Sequence, residues 1–221
     1  MPELPQVIET PRLRLRRFLW RDAKDVLAYA RDPEWARHLP VPMPYGLADA
    51  EAFVQRQAAL DWHTRFGWAI TTDDDRVVGG IDLTCDAPWR ASVGFAIATR
   101  LRGRGLVPEA AAAVIDAAFA ADTELYRVFA FTDVRNTASQ SVLRKLGMVH
   151  EGVLRAHVLH RDELVDVVYA GVLRPAWLAR ARRPLALCKG APRLGWDRRS
   201  RGASALLAAA DRRAPRSAMP A

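Results

Sequence analysis

The sequence predicts an α/β domain in three layers, an α+β arrangement of helices packed on a mixed, mostly antiparallel sheet. Segments with apolar residues at every second position alternate with segments of helical spacing, which are the patterns of half-buried strands and amphipathic helices. Two pairs of predicted strands are joined by short turns, which indicates antiparallel hairpins. Half of the residues are hydrophobic and 26% are charged, a composition typical of globular rather than disordered or fibrous proteins.

The first elements are a strand, two helices and a hairpin. Leu13 and Leu15 alternate with arginines, which predicts a half-buried strand. A helix is expected to begin at Asp22 and to end at Asp32, because the residue before Pro33 disfavours helical backbone. The loop HLPVPMPYG follows, then a helix over 47–62. The segment GWAITTDDDRVVGGIDLT predicts a hairpin that turns at its three aspartates.

The second half predicts two strand–helix units and a closing hairpin. A strand over 91–98 precedes an alanine-rich helix that reaches Ala121, with Pro108 at its first position. A strand over 126–134 precedes a helix over 136–146 that Asn136 caps and Gly147 stops. Two last strands cover 149–158 and 164–173. One face of the 91–98 strand is nearly bare, which leaves room for something to lie against it; its residues are Ser92, Gly94, Ala96 and Ala98.

The positive charge of the chain is concentrated at its C-terminal end. Residues 1–173 carry 21 basic and 23 acidic side chains, whereas residues 174–221 carry 12 basic and 2 acidic ones, for a net charge of +8. We predict a folded domain over 1–177 and a basic, Ala/Arg/Pro-rich tail over 178–221 that is disordered. The slightly acidic domain disfavours a nucleic-acid stacking role for its tryptophans, and only the tail is expected to contact RNA or a ribosome.

Cysteine use and hydropathy exclude several classes of protein. Cys85 and Cys188 lie far apart, and no Cys/His spacing suits a metal, so we expect neither a disulfide framework nor a metal site. Neither a leader-like segment nor an apolar run of roughly 18 residues occurs. These absences predict a cytoplasmic protein without membrane contact.

The segment RLRGRGL, residues 100–106, lies between a predicted strand and a predicted helix. Its two glycines allow the backbone to turn N–H groups inward, and the helix dipole adds to the attraction for an anion, so the segment can form a diphosphate cradle. Its spacing is neither that of a P-loop nor GxGxxG. An ordinary glycine turn with solvated arginines remains the alternative reading of this segment alone.

A second motif, NTAS…VLRKLGM, begins at Asn136 on the next strand–helix unit. Together with TPRLRLR, VGGIDL, VPEA, EGVLR and DVVYAGVL, the two motifs resemble the GNAT superfamily of acyl-CoA N-acyltransferases, RimJ/RimL type, over roughly residues 10–173. The resemblance implies a sheet splayed between the strands on either side of the RLRGRG helix, with acetyl-CoA held in the splay. The residues it implies for acetyl-CoA binding are Phe95, Ala96, Ile97, Arg100, Leu101, Arg102, Gly103, Arg104, Gly105, Leu106, Asn136 and Ser139.

The resemblance also suggests candidate catalytic residues. Many members carry a tyrosine acid where this chain has Leu143, so we take Ser139 as the group that protonates the departing coenzyme A; a first-turn hydroxyl that bonds backbone groups is the alternative. A strand glutamate used by relatives is replaced by Ser92. The candidates for the base that deprotonates the amine are Glu109, Asp82, Glu151 and His157, with ordered water as a further option.

These expectations add up to an acetyl-CoA-dependent N-acetyltransferase that acts by direct attack of a primary amine in a ternary complex. The acceptor would be an α-amine of a protein, such as a ribosomal one, or a small-molecule amine, and the loop HLPVPMPYG and residues 62–68 would shape its cleft. The alternatives are an acyl-CoA-binding sensor without turnover and a protein tethered to nucleic acid by its basic tail. Either a monomer or a homodimer is compatible with the sequence.

Overall fold

Eight strands form one mixed sheet in the computed structural model, which describes residues 3–181 of the chain. The strands are β1 (Val7–Glu9), β2 (Arg14–Arg16), β3 (Arg65–Thr71), β4 (Val77–Ala87), β5 (Arg90–Ile97), β6 (Arg127–Asp133), β7 (Val149–His160) and β8 (Glu163–Leu173). The helices that flank the sheet are α1 (Ala23–Ala30), α2 (Pro33–Ala36), α3 (Leu47–Ala58), α4 (Leu106–Ala121), α5 (Thr137–Lys145) and α6 (Arg174–Ala181). The predicted fold class is confirmed.

The sheet has the order β1-β2-β3-β4-β5-β6-β8-β7, and β5 and β6 are its parallel neighbours. These two strands pair only from Arg90 to Ser92 and from Arg127 to Phe129. Beyond these pairs, β5 continues to Ile97 and β6 to Asp133 without bonding to each other. The two strands therefore diverge, and the predicted splay is confirmed.

Three N-terminal elements differ from the sequence prediction. An additional strand, β1, pairs antiparallel with β2, which lengthens the sheet at its edge. The chain after Asp32 forms α2, for which no element was predicted, because a proline fits the first helical position and the Asp32 carboxylate accepts a hydrogen bond from Glu34 N at 2.9 Å. Helix α3 ends at Ala58, before the predicted end at residue 62.

Helix α4 begins at Leu106, two residues earlier than predicted, and Pro108 occupies its third position. The first-turn N–H groups of a helix have no intrahelical partner, so a proline is tolerated there. The apolar side of α4 packs against β4 and β5 in the core. On this side, solvent does not reach Ala110, Ala111, Val114 or Ile115. Burial of this face fixes the N-terminus of α4 at the mouth of the splay.

A buried ion-pair network joins β2, the start of α1 and the β3–β4 turn. The Arg16 guanidinium donates to both carboxylate oxygens of Asp22, at 2.8 and 3.0 Å, and its Nε donates to Asp75 at 2.8 Å. The Arg16 and Asp22 side chains are 7% and 2% exposed, and Asp22 also accepts from Leu19 N at 2.7 Å. These bonds raise the pKa of Arg16 further above its ordinary value, mainly through Asp22.

Helix α6 continues past the predicted domain boundary at residue 177 to Ala181. Trp177 is buried, and its indole Nε1 donates to Asp116 Oδ1 of α4 at 2.6 Å, so the helix is attached to the domain. The rest of the predicted disordered tail, residues 182–221, lies outside the described residues. Within the described part of the chain, the helices are all too short or too polar to cross a membrane.

Candidate active site

The RLRGRGL segment forms a tight turn between β5 and the N-terminus of α4. Gly103 and Gly105 have φ angles of +79° and +78°, a left-handed backbone that favours glycine. Gly105 directly precedes the 16-residue helix α4, so the unpaired N–H groups and the positive end of the helix dipole lie at this turn. The backbone thus has the features of the predicted anion cradle.

The arginines of this turn are exposed, and contacts with distant residues brace the turn. Arg12 donates to the carbonyl of Arg104 at 2.9 Å, and Arg102 donates to the Glu34 carbonyl at 3.2 Å. Arg12 was not predicted as part of the site; the only signal for it was its place in the TPRLRLR motif. The cradle is therefore supported by the β1–β2 turn and by α2.

A small cavity of about 130 Å³ lies in the splay beside the cradle. From Val93 to Ile97, the β5 edge that faces β6 is unpaired within the described chain, so its amide groups are available to an extended ligand. Arg100 and Arg104 are absent from the lining of this cavity. The predicted acetyl-CoA residues that line it are Phe95, Ala96, Ile97, Leu101, Arg102, Gly103, Gly105, Leu106, Asn136 and Ser139.

A second cavity, of about 600 Å³, shares a wall with the first. The shared residues come from α2 and the loop after it, from β5 and from the start of α5; they are Trp35, His38, Leu39, Phe95, Ala96, Asn136 and Ser139. The loop HLPVPMPYG, which we predict to shape the acceptor cleft, contributes four residues to the lining of the larger cavity, from His38 to Val41. Residues 62–68 contribute none, because Trp62, Phe66 and Trp68 pack against one another in the core.

Ser139 lies where the two cavities meet. The Asn136 carboxamide caps α5 by accepting a hydrogen bond from Ser139 N at 3.0 Å, as the N-cap prediction requires. None of the described residues forms a hydrogen bond with the Ser139 hydroxyl. The hydroxyl therefore does not serve the helix backbone, and it remains available to a bound molecule.

Asp82 occupies the floor of the larger cavity, in β4. It pairs with Gly94 of β5, and a methyl group at Gly94 would lie 2.6 Å from Asp82 Oδ1. The bare face of β5 thus accommodates the aspartate side chain. Solvent reaches the carboxylate from the cavity, but protein atoms surround it and raise its pKa above the ordinary value, a shift that the charge of Arg65 opposes.

Glu109 lies outside both cavities, away from Asp82 and Ser139. Its carboxylate accepts hydrogen bonds from the Thr10 hydroxyl at 2.7 Å and from Arg12 Nε at 2.6 Å. Burial alone would raise the pKa of Glu109, but these bonds outweigh it and lower the pKa. These bonds tie the β1–β2 turn to α4, so the structure does not bring Glu109, one of the candidate bases, into a cavity with Ser139.

The other two candidate bases are likewise engaged elsewhere. Glu151 pairs with Arg127, and the hydrogen bonds from that guanidinium lower the pKa of Glu151. His157 Nε2 lies 3.2 Å from the Tyr169 hydroxyl, and neither cavity includes His157 in its lining. Of the four candidates, the structure brings only Asp82 into a cavity with Ser139.

Polar residues that the sequence did not single out lie at one side of the larger cavity. His38 Nδ1 is 3.7 Å from Asp133 Oδ2, and Arg135 Nη2 donates to the same oxygen at 2.7 Å. Hydrogen bonds from Arg135 lower the pKa of Asp133. The negative charge of Asp133 is therefore already balanced by Arg135, whereas Asp82 forms no hydrogen bond or ion pair with the described residues and has Arg65 only as a more distant charge.

Comparison with known proteins was consistent with this geometry. Residues 12–149 match the acetyltransferase (GNAT) domain family. An uncharacterized N-acetyltransferase of Bacillus licheniformis, p20, is 26% identical over 166 residues, which are 73% of this chain and 93% of that protein.

Two crystal structures show the same fold. A GNAT-family acetyltransferase from Bacillus anthracis has a TM-score of 0.68 at 24% identity and covers 76% of this chain and 98% of its own. The microcin C7 self-immunity acetyltransferase MccE, in complex with acetyl-CoA and AMP, has a TM-score of 0.69 at 14% identity and covers 78% of this chain and 98% of its own.

Proposed function

The chain belongs to the GNAT acetyltransferase family and is an N-acetyltransferase, and we propose that it transfers the acetyl group of acetyl-CoA directly to a primary amine in a ternary complex. One observation carries the proposal: the splay cavity and the larger cavity meet at Ser139, with Asp82 on the floor of the larger one. The thioester and the amine can then approach each other from opposite sides of that meeting point. The sequence motifs resemble those of the RimJ/RimL type, and we extend the proposal to that type on this resemblance alone.

The residues of the splay suit acetyl-CoA. The left-handed glycines and the α4 N-terminus suit its pyrophosphate, and the exposed Arg100 and Arg104 add positive charge beside it. The unpaired edge of β5 suits the two amides of its pantetheine arm. Acetyl-CoA supplies the acetyl group as a thioester.

Asp82 is proposed to accept the proton that makes the amine nucleophilic. An alkylamine enters mostly as its ammonium form at neutral pH, and the Asp82 carboxylate attracts it. Because the pKa of Asp82 is raised, the carboxylate is a better proton acceptor than an ordinary aspartate. The neutral amine nitrogen then attacks the thioester carbonyl carbon.

Ser139 is proposed to complete the proton transfers. Its hydroxyl gives its proton to the departing sulfur and takes the remaining surplus proton of the attacking nitrogen. The C–S bond breaks, the C–N bond forms, and Asp82 carries away the one proton released per turnover. This proton transfer requires a hydroxyl that is not hydrogen-bonded to the helix backbone, and the Ser139 hydroxyl meets this requirement.

Thiol release from acetyl-CoA in the presence of a panel of primary amines tests the function. We expect amine-dependent release with one equivalent of acetylated amine formed. Coenzyme A binding in calorimetry without turnover of any amine would instead support the acyl-CoA sensor. Absence of coenzyme A binding at high micromolar concentration would overturn the proposal altogether.

Replacing Gly103 by alanine is expected to raise the Kd of coenzyme A about tenfold. A side chain makes left-handed backbone unfavourable by about 1–2 kcal/mol, so the loop relaxes and its N–H groups turn away from the pyrophosphate. Gly147→Ala is the matched control, because Gly147 has a φ of +73° and lies after α5, outside both cavities. Titration calorimetry should give an unchanged Kd for the control; equal values for both variants would contradict the cradle.

Replacing Ser139 by alanine is expected to lower kcat about 100-fold, since the departing thiolate loses its proton donor. The KM for acetyl-CoA should change little, because the backbone N–H that the Asn136 carboxamide holds is retained. Ser141→Ala, on the same helix and outside both cavity linings, is the control. Steady-state thiol release measures both, and an unchanged kcat in Ser139→Ala would remove Ser139 from the mechanism.

A further inference from the structure

The residues that line the larger cavity favour a narrower class of acceptor amine than membership of the GNAT family implies. We infer that the acceptor is a small primary amine that carries one aromatic or branched aliphatic group, an inference that rests on the proposed function. Its ammonium would lie at Asp82 and its apolar group against the side of the cavity formed by β2–α1, α2 and α3. The apolar lining and the charges of that cavity support this inference.

Aromatic and branched side chains form most of this lining. Phe18 and Phe53 meet edge to face with ring centroids 5.3 Å apart, and Tyr29 and Trp35 meet with centroids 5.2 Å apart. Ile81, the neighbour of Asp82 in β4, is buried in the same lining. These rings hold one another in place, so an apolar group meets a preformed surface.

The cavity contains few charges for an acceptor to use. Among the described residues that line it, there is no lysine or arginine, and the carboxylates are Asp82 and Asp133. Asp133 is already bonded to Arg135 and lies near His38, as the lowered pKa of Asp133 reflects. Asp82 is left to pair with one ammonium group.

This distribution of apolar and charged side chains in the cavity disfavours polar and polycationic acceptor amines. A polyamine or an amino sugar would bring several further ammonium or hydroxyl groups against a lining in which aromatic and branched side chains outnumber the polar ones, so most of these groups would lose water without gaining a hydrogen-bond partner. The backbone amides of a peptide would suffer the same loss. An alkyl or aryl group instead gains by leaving water, in proportion to the area that it buries.

A series of amines tests the inference with the full-length protein. From n-propylamine to n-hexylamine, kcat/KM is expected to rise about fourfold for each added methylene that the cavity buries. 2-Phenylethylamine should exceed n-propylamine by at least tenfold, and spermidine and an alanyl peptide should fall below both. Initial rates of thiol release at subsaturating amine give these ratios directly.

A variant of the lining separates apolar recognition from general damage. Phe53→Ala should lower kcat/KM for 2-phenylethylamine about tenfold more than for n-propylamine, because the larger amine loses more buried apolar area when the ring is removed. Leu47→Ala, an exposed position on the same helix, should leave both unchanged. The ratio of kcat/KM for the two amines, measured in one preparation, does not depend on the fraction of the protein that is folded.

The outcomes distinguish the inference from the function on which it rests. Faster turnover of spermidine or of the alanyl peptide than of 2-phenylethylamine would overturn the apolar-amine inference and leave the acetyltransferase function intact. A flat alkylamine series would do the same. Failure to turn over any amine in the series, despite coenzyme A binding, would overturn the inference and the proposed function together.

Discussion

Replacing Asp82 by asparagine is expected to lower kcat/KM for the amine about 100- to 10,000-fold at pH 7, the range that loss of a general base produces. The asparagine side chain preserves the size of the aspartate over Gly94 but accepts no proton. Asp86→Asn is the control, because Asp86 lies on the same strand and pairs with Arg90 at the surface. A loss of less than tenfold in Asp82→Asn would indicate that water or another group accepts the proton.

The pH dependence of the same pair of proteins gives an independent check. Asp82 must be ionised to act, so the rate should rise with pH through its raised pKa and reach a plateau above it. The residual activity of Asp82→Asn should lack this limb. A limb that persists in the variant would belong to a different group.

As pH rises through the pKa of Asp82, the contribution of this residue to the free energy of unfolding should fall while the activity rises. The folded-state pKa of Asp82 is raised, so folded protein binds more protons than unfolded protein between the unfolded and folded pKa values. The contribution of Asp82 to the free energy of unfolding therefore falls as pH rises through that interval. Asp82→Asn should be at least as stable as the parent at neutral pH in thermal denaturation, which separates lost catalysis from lost folding.

The order of elements and the splay were predictable from sequence because they depend on local patterns. Alternation marked most of the strands, the two glycines marked the left-handed turn, and Asn136 marked the start of α5. β1 has three residues, only one of which is half-buried, so alternation could not reveal it. The α2 turn was missed because Pro33 is equally suited to ending one helix and to beginning the next.

The roles of the acidic residues were not predictable, because they depend on contacts between distant segments. Glu109 is bonded to Arg12, 97 residues earlier, and lies outside both cavities. Asp82 is distinguished from it by the register of β4 against β5, which sets its carboxylate over Gly94 inside the cavity. Local sequence patterns reveal neither the register of β4 against β5 nor the contact between Glu109 and Arg12. Several residues therefore remained as candidates for the base.

Replacing Asp22 by alanine is expected to destabilise the protein by about 3–5 kcal/mol, because it leaves the Arg16 guanidinium buried without its main partner. The carbonyls of Asp75 and Arg17 still accept from the guanidinium, but the one carboxylate left to it is that of Asp75, whose side chain is 38% exposed. The variant also loses the acceptor for Leu19 N, which is 2.7 Å from the Asp22 carboxylate. Urea denaturation followed by tryptophan fluorescence measures the change.

Two further variants show why Asp22→Ala loses stability: because the Arg16 charge is left unpaired, or because the bonds of the Arg16–Asp22 pair are lost. Arg16→Met combined with Asp22→Leu removes both charges and should recover most of the stability, since well-packed apolar groups often replace a buried pair without cost. Asp86→Ala breaks the exposed pair with Arg90 and should cost less than about 1 kcal/mol. If the double variant were as unstable as Asp22→Ala, the network would matter for its specific bonds and not for the burial of a lone charge. Because the network joins β2, the start of α1 and the β3–β4 turn away from both cavities, the folded fraction of each variant should retain the parent KM for the amine.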